Sequence, residues 1–142
     1  MPGGKHGVNR DMVQNIDYAP TFLDLAGVKV PADIQGRSLL PLLKGKTPRD
    51  WRHSLYYHYY EYPAEHSVCR HYGIRTPRYS LMHFCNVIDS WELYDLQKDP
   101  AQMHNIYGRP GTEKLTQQLK KQLVGLQVQY DDPIRNTPQG VK

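Results

Sequence analysis

The chain has only two cysteines in 142 residues, and it contains no long apolar run. Two cysteines cannot form a framework of disulfides, and the spacing of Cys69 and Cys85 among scattered histidines does not match a zinc site, so buried thiols are the simpler interpretation. No stretch approaches the ~20 apolar residues that cross a bilayer, and the first five residues lack the apolar core of a signal peptide. The sequence therefore predicts no membrane partner and, taken literally, a cytosolic chain.

The composition is also poor in apolar residues. They make up 39% of the chain, and the mean hydropathy is −0.71. These values are low for a compact enzyme, but they are expected for a piece that rests against another domain. The net charge is +4, yet the basic residues are spread along the chain rather than massed, which argues against nucleic acid as a partner. A basic surface suits other polyanions, including sulfated glycans.

Two short helices are predicted in the first 50 residues, over residues 18–26 and 39–44. Asp17 is the predicted N-cap of the first helix, and Gly27 follows its end. Ser38 is the predicted N-cap of the second helix, and Gly45 follows its end. The apolar side chains of the first helix that we expect to be buried are Phe22, Leu23 and Leu25. Isolated helices shorter than ~12 residues are marginal in water, so both helices must pack on something.

The middle of the chain is rich in aromatic and other strand-forming residues. Strands are predicted over residues 54–62, 68–76, 79–87 and 91–96. Turn signals leave only short connections between them, and parallel neighbours would need a crossover of a dozen or more residues. The sequence therefore predicts a four-stranded antiparallel sheet.

A long helix is predicted after the sheet, with Thr112 as its cap. Apolar residues recur every three or four positions and form one stripe: Leu115, Leu119, Leu123, Leu126 and Tyr130. The polar side chains that we expect to face away from it are Gln117, Lys120, Lys121 and Gln127. The predicted fold class is α+β, an antiparallel sheet packed by a long C-terminal helix and preceded by two short helices. The predicted divisions are residues 1–50, 51–132 and a frayed tail, 133–142.

Four short motifs follow one another along the chain. They are NIDYAPTFLDLAG at 15–27, QGRSL at 35–39, HYGIRTPRY at 71–79 and ELYDLQKDP at 92–100. Together, and in this order, they resemble landmarks of the C-terminal third of sulfatases, the formylglycine-dependent sulfate-ester hydrolases. The resemblance implies that residues 1–50 end the large sulfatase domain and that 51–132 form the C-terminal subdomain. It also implies a missing N-terminal domain as a partner, and a periplasmic or extracellular full-length protein.

The catalytic groups of that family have no counterpart in this chain. The family's nucleophile lies in a Cys/Ser-x-Pro-x-Arg pentapeptide, and neither Cys69 nor Cys85 begins one. The family's calcium ligands would lie upstream of residue 1, so no cofactor is expected here, although calcium is expected in the full-length enzyme. We therefore expect a chain that is not catalytic alone, with no catalytic residues and no metal ligands of its own.

One segment could still contribute to a neighbouring active site. Residues 61–71 gather two carboxylates, two imidazoles and a guanidinium at a predicted loop-to-strand boundary, where rigid scaffolds present functional groups. An arginine fork suits the oxyanions of sulfate, and a histidine can donate to a sugar hydroxyl or a sulfate oxygen. The predicted substrate-binding residues are His66, Arg70 and His71. A surface or structural role for each is the simpler alternative, and Arg70 is expected at the start of its strand if Tyr72 and Ile74 face the core.

Other polar and aromatic residues have simpler interpretations. The isolated histidines His53, His58, His83 and His104 predict no metal site. Aromatic residues 56–62 could stack sugars or bases, but strand propensity and burial explain them more simply. Asp95 and Asp99 follow the last strand, where an aspartate can bind its own downstream backbone amides, so no catalytic dyad is inferred.

Three functions remain open from the sequence. The first is the C-terminal fragment of a sulfatase for sulfated glycan sugars, such as glycosaminoglycans, that gives structural support and part of the substrate pocket. The second is a stand-alone module that binds glycans or other polyanions, and the third is a phosphoesterase relative of the same superfamily. A fragment should expose a wide apolar face, whereas a module should be polar all round.

Overall fold

The computed structural model describes residues 7–63, 65–85 and 88–133. The chain forms two compact units, an N-terminal unit, Met1–Leu55, and a C-terminal unit, Tyr56–Lys142. The predicted divisions at residues 50 and 132 stay a prediction, and all of the tail but residue 133 lies outside the described residues. No helix in the described ranges combines the length and the apolar character needed to span a bilayer.

The N-terminal unit contains the two predicted short helices. A 3-10 turn, Asn15–Asp17, leads directly into α1, Tyr18–Leu25, and α2 is a single turn, Leu40–Leu43. Gly27 and Gly45 follow the helices with φ of 68° and 74°, which glycine adopts without strain. Asp17 occupies the N-cap position of α1, but its side chain makes no capping hydrogen bond to that helix. The predicted capping bond is therefore wrong.

Asp17 instead organises the interior of this unit. Its buried carboxylate accepts hydrogen bonds from the backbone N–H of Gln14 (2.8 Å) and of Arg37 (2.9 Å), and from the Arg52 guanidinium (2.8 Å). Burial alone would raise the pKa of Asp17, but the hydrogen bonds from Arg52, Arg37 and Gln14 outweigh it and leave the pKa below its ordinary value. The Trp51 ring is also buried, and the central guanidinium carbons of Arg37 and Arg52 lie 4.7 and 5.3 Å from its centroid.

The predicted burial on α1 is wrong for two of three residues. Phe22 is 67% exposed and Leu25 is 46% exposed, while Leu23 is only partly buried. The helix turns Pro20 and Thr21 inward instead, because the Thr21 hydroxyl donates to the Asp17 carbonyl and accepts from the backbone N–H of Leu39. The outward side of α1 is therefore an apolar stripe.

The C-terminal unit contains the predicted four-stranded antiparallel sheet, apart from Leu55, the first residue of the first strand. Its strands are β1, Leu55–Tyr59; β2, His71–Arg75; β3, Tyr79–Phe84; and β4, Ser90–Asp95. They lie in the order in which they occur along the chain, and Gly73 pairs with Met82 and Leu81 with Leu93 at the centre of the sheet. The first three strands are shorter than predicted, and β4 has the predicted length but begins and ends one residue earlier. In particular β2 begins at His71 rather than at residue 68, which leaves Arg70 just outside it.

The predicted long helix is α3, Glu113–Gln129, and it packs on one face of the sheet. Its stripe is confirmed by Leu119 and Leu123, which are 3% and 2% exposed and join the sheet core. The other buried apolar members of that core are Tyr72, Ile74, Leu81, Cys85 and Leu93. The α+β fold class is thus confirmed.

Two polar residues of α3 do not face away as predicted. Gln127 is buried because it lies four residues after Leu123 and continues the inward stripe. Lys120 is partly buried, and its ammonium lies 3.9 Å from the Trp91 ring centroid and donates to the Tyr107 hydroxyl. Thr112 precedes the helix but donates its hydroxyl to the Arg109 carbonyl, so it gives no side-chain cap.

Candidate functional site

The three predicted substrate-binding residues lie in the connection between β1 and β2 and at its end. His66 is exposed and lies in a turn, directly before Ser67, whose φ is 50°. A positive φ at a residue other than glycine is uncommon, and it reverses the chain sharply here. The His66 imidazole is therefore presented to solvent on a tightly turned loop.

Arg70 is the last residue before β2, and both its backbone and its side chain are held. Its carbonyl accepts from the backbone N–H of Cys85 at 2.9 Å, and its Nη2 donates to the Tyr62 carbonyl at 3.2 Å. Its Nε is buried and has no hydrogen-bond partner among the described residues. A buried donor without a partner costs ~1 to 3 kcal/mol, so this guanidinium is suited to an acceptor that lies outside the described chain.

His71 begins β2, and aromatic side chains surround its ring. Tyr59 stacks on it, with centroids 5.5 Å apart and planes 17° apart, and Phe84 lies 5.2 Å away at 39°. Tyr57 meets it edge-on at 6.1 Å. The fold dictates this grouping because Tyr57 and Tyr59 alternate onto one face of β1 and Phe84 pairs directly with His71 across the sheet.

The structure shows no side-chain contact within the predicted trio among the described residues. Arg70 and His71 are consecutive at the start of β2, and His66 makes no hydrogen bond or ring contact with either within those ranges. Their role in substrate binding stays a prediction. Sequence reasoning missed Tyr59 and Phe84 as neighbours of His71. The alternation of tyrosines at 57 and 59 was the available signal, but it required the register of the sheet.

The opposite face of β1 has a buried polar network. One oxygen of Asp132, just after α3, accepts from the Tyr56 hydroxyl and lies 2.8 Å from His58 Nδ1 and 3.1 Å from the Tyr60 hydroxyl. The side chains of His58 and Asp132 are 2% and 1% exposed. Burial and then the Asp132 carboxylate raise the pKa of Tyr56. These residues fasten the end of α3 to the sheet, so burial accounts for this half of the tyrosine cluster.

The remaining acidic and sulfur-containing residues support the simpler interpretations. Asp95 accepts from the Gln97 backbone N–H at 3.2 Å and Asp99 from that of His104 at 2.7 Å, as predicted for turn residues. Hydrogen bonds from Arg78 are the main reason that the pKa of Asp95 lies below its usual value. Both cysteines are free, and burial raises the pKa of the Cys85 thiol, whereas Cys69 is only partly buried.

The described residues offer no cluster of metal ligands, but some of them line a surface cavity. They contain no group of three or more histidine, cysteine or acidic side chains placed to hold a metal ion, so they do not fit the calcium site of the resemblance. A surface cavity of about 290 Å³ lies at the start of α3, and its lining includes Tyr107, Thr116 and Lys120. None of the three predicted site residues lines it.

Comparison with known proteins identifies the chain's family. The family model described as the C-terminal region of N-sulphoglucosamine sulphohydrolase matches residues 2–129. The chain belongs to this sulfatase C-terminal family. It is 59% identical over 120 residues to the N-acetylglucosamine-6-O-sulfatase of Bacteroides thetaiotaomicron. The matched region makes up 83% of this chain and 22% of that enzyme.

Solved structures give the same result for the fold of this sulfatase domain. A protein solved in complex with its substrate D-glucosamine-2-N,6-O-disulfate superposes with a TM-score of 0.80 at 55% identity, over 89% of this chain and 25% of that one. The phosphonate monoester hydrolase of Silicibacter pomeroyi superposes with a TM-score of 0.77 at 27% identity, over 93% of this chain and 28% of the hydrolase. The domain thus spans about a quarter of the length of its relatives.

Proposed function

We propose that the chain is the C-terminal part of a sulfatase that removes sulfate from the amino sugars of glycans. The observation that carries this proposal is the 59% identity to an N-acetylglucosamine-6-O-sulfatase, together with the likeness to a protein solved with a disulfated glucosamine. The nucleophile and the metal would come from the rest of the polypeptide. This domain then has two tasks, to support the larger domain and to complete the sugar pocket.

The apolar stripe of α1 supports the first task. Tyr18, Phe22 and Leu25 follow one another at helical spacing and are 56%, 67% and 46% exposed. Four more apolar residues of the same unit, Val13, Ile16, Val28 and Leu43, are 42–52% exposed. An apolar face of this kind marks a surface that another domain covers, and it is not expected of a stand-alone module that is polar all round.

The geometry around β2 supports the second task. Arg70 has a buried Nε without a partner in the described residues, His66 is exposed on its turn, and His71 follows Arg70 in sequence. A guanidinium can donate two parallel hydrogen bonds to sulfate or carboxylate oxygens, and the net charge of +4 favours anionic substrates generally. The proposal assigns these three residues to the sugar rather than to the sulfate that is cleaved.

The test uses a chimera in which this chain replaces the matching region of the Bacteroides thetaiotaomicron enzyme. His66→Ala and Arg70→Ala should each lower kcat/KM for N-acetylglucosamine 6-sulfate by roughly 10- to 1000-fold, because a hydrogen bond to the sugar is lost. A small aryl sulfate should be affected much less. Arg75→Ala is the matched control, since Arg75 is exposed at the far end of β2. Equal losses on both substrates, or none, would contradict the pocket role.

A phosphoesterase is the second candidate, and one observation favours it. The phosphonate monoester hydrolase superposes nearly as well as the sugar-bound protein, with TM-scores of 0.77 and 0.80. The identities of 27% and 55% favour the sulfatase. Assays of the full-length protein that contains this chain, with a phosphonate monoester beside N-acetylglucosamine 6-sulfate, decide between them.

A further inference from the structure

The tautomer of His71 follows from one contact. Its Nδ1 lies 2.9 Å from the carbonyl oxygen of Cys69. A carbonyl oxygen can only accept, so Nδ1 must carry the hydrogen. In the neutral ring the other nitrogen, Nε2, then has a free lone pair and acts as an acceptor.

The aromatic neighbours and one hydrogen bond together set the orientation of the ring. Tyr59 stacks on His71 and Phe84 lies against it, so they hold the plane of the ring, and the bond to the Cys69 carbonyl sets which nitrogen faces that oxygen. Tyr57, which meets the ring edge-on, depends in turn on a glycine. A Cβ at residue 73 would lie 2.5 Å from the Tyr57 hydroxyl, so Gly73 makes room for that side chain.

The Nε2 atom of His71 is not used by the described part of the chain. None of the described residues forms a hydrogen bond with it, and the ring is partly rather than fully buried. It lies next in sequence to Arg70, whose buried Nε also lacks a partner among the described residues. The start of β2 therefore offers one fixed acceptor and, at the preceding residue, one cation.

We propose that His71 is a specificity-determining residue that accepts, through Nε2, a hydrogen bond from a hydroxyl or amide N–H of the bound sugar. The inference rests on the proposed function, since it assumes that a sugar lies at this site. A sulfate at the same sugar position would bring its oxygen lone pairs against the Nε2 lone pair with no hydrogen between them. The site thus selects an unmodified hydroxyl or amide next to His71, while Arg70 takes an anionic group. Tyr59 is a positioning residue that acts through the ring of His71.

The first experiment reads the tautomer in the 142-residue chain itself. A long-range proton–nitrogen NMR spectrum of the imidazoles distinguishes the protonated ring nitrogen from the free one, and His71→Asn assigns the signals by their loss. We expect hydrogen on Nδ1. Hydrogen on Nε2 alone would overturn the inference and leave the proposed function untouched.

The second experiment uses the chimera and N-acetylglucosamine 6-sulfate. An asparagine keeps a donor near the Nδ1 position, whereas a glutamine places an amide oxygen near Nε2. His71→Ala and His71→Asn should therefore lower kcat/KM by roughly 5- to 100-fold, and His71→Gln should recover part of the loss. Tyr59→Leu should lower kcat/KM for the sugar with little effect on a small aryl sulfate, whereas Tyr59→Phe keeps the stacking and should stay close to the parent.

The outcomes separate the two levels of the proposal. Two results would overturn the role of His71 and leave the proposed function standing. One is full activity in His71→Asn. The other is full activity in His71→Ala while Arg70→Ala and His66→Ala lose activity. Full activity in all three alanine variants would overturn the pocket role as well. Activity in His71→Gln above that of His71→Asn, with hydrogen on Nδ1, supports an acceptor at Nε2.

Discussion

Replacing Asp17 by asparagine should destabilise the N-terminal unit by several kcal/mol. The carboxylate is fully buried and its partner Arg52 is only 9% exposed, so the change leaves a nearly buried guanidinium without its counter-charge. Removing one member of a buried ion pair typically costs ~3 to 5 kcal/mol. That loss is a large share of the ~5 to 15 kcal/mol that stabilise a domain.

A matched control is present in the same unit. Asp50 pairs with Arg37 at 2.9 Å, but the Asp50 side chain is 80% exposed. Exposed ion pairs contribute ~0 to 1 kcal/mol, so Asp50→Asn should have little effect. Adding Arg52→Met to Asp17→Asn should recover part of the loss, because the unpaired buried charge is removed.

The assay is urea unfolding followed by the fluorescence of Trp51, in a Trp91→Phe background so that only the N-terminal unit is observed. With a slope of ~1 to 3 kcal/mol per molar urea, Asp17→Asn should lower the midpoint by about 1 M or more. The pKa of Asp17 lies below its ordinary value, so its stabilisation is complete above the unfolded pKa of ~3.9 and is lost as the pH falls through the folded pKa. The difference between parent and variant should therefore be constant near neutral pH and shrink below about pH 4. If Asp17→Asn lowers the urea midpoint no more than Asp50→Asn does, the reasoning is refuted.

Three further predictions concern the C-terminal unit and the chain as a whole. Leu119→Ala or Leu123→Ala should lower the free energy of unfolding, measured with denaturant, by ~2 to 5 kcal/mol. Val124→Ala, at a 54% exposed position, should change it by less than ~0.5 kcal/mol. Equal effects would mean that α3 does not pack on the sheet. Gly73→Ala should lower the free energy of unfolding by ~1 to 3 kcal/mol, because the new Cβ would lie 2.6 Å from a backbone carbonyl oxygen. Gly125→Ala, which has open space around it in α3, should raise it slightly. A Gly73→Ala variant as stable as the parent would show that the sheet is packed more loosely than described. The purified chain should hydrolyse no aryl sulfate with or without calcium, because it lacks an activated nucleophile, and turnover that survives replacement of both cysteines would contradict this.

The parts of the fold that the sequence predicts are those set by local patterns. The four-residue spacing of Leu119 and Leu123 is enough to identify the buried side of α3. Aromatic segments joined by short turns are enough to predict an antiparallel sheet. Strand ends were less accurate, since pairing begins at His71 although strand-forming residues begin at Val68.

The failures concern contacts between residues distant in sequence. Helical spacing shows that Phe22 belongs to an apolar stripe of α1, but it cannot show which side of a short helix is covered. Asp17 looks like a helix cap because its real partner, Arg52, lies 35 residues further on. The orientation of His71 depends on a backbone carbonyl and on strand register, and neither is visible in residue types alone.

The most direct test of the central claim is kcat/KM of the chimera for N-acetylglucosamine 6-sulfate, compared with the intact Bacteroides thetaiotaomicron enzyme and with that enzyme lacking its matching C-terminal region. If this chain is the sugar-completing domain of such a sulfatase, the chimera should recover activity to within about tenfold of the intact enzyme, while the truncated form is inactive. A folded, soluble chimera that hydrolyses a small aryl sulfate but not the sugar sulfate would contradict the claim.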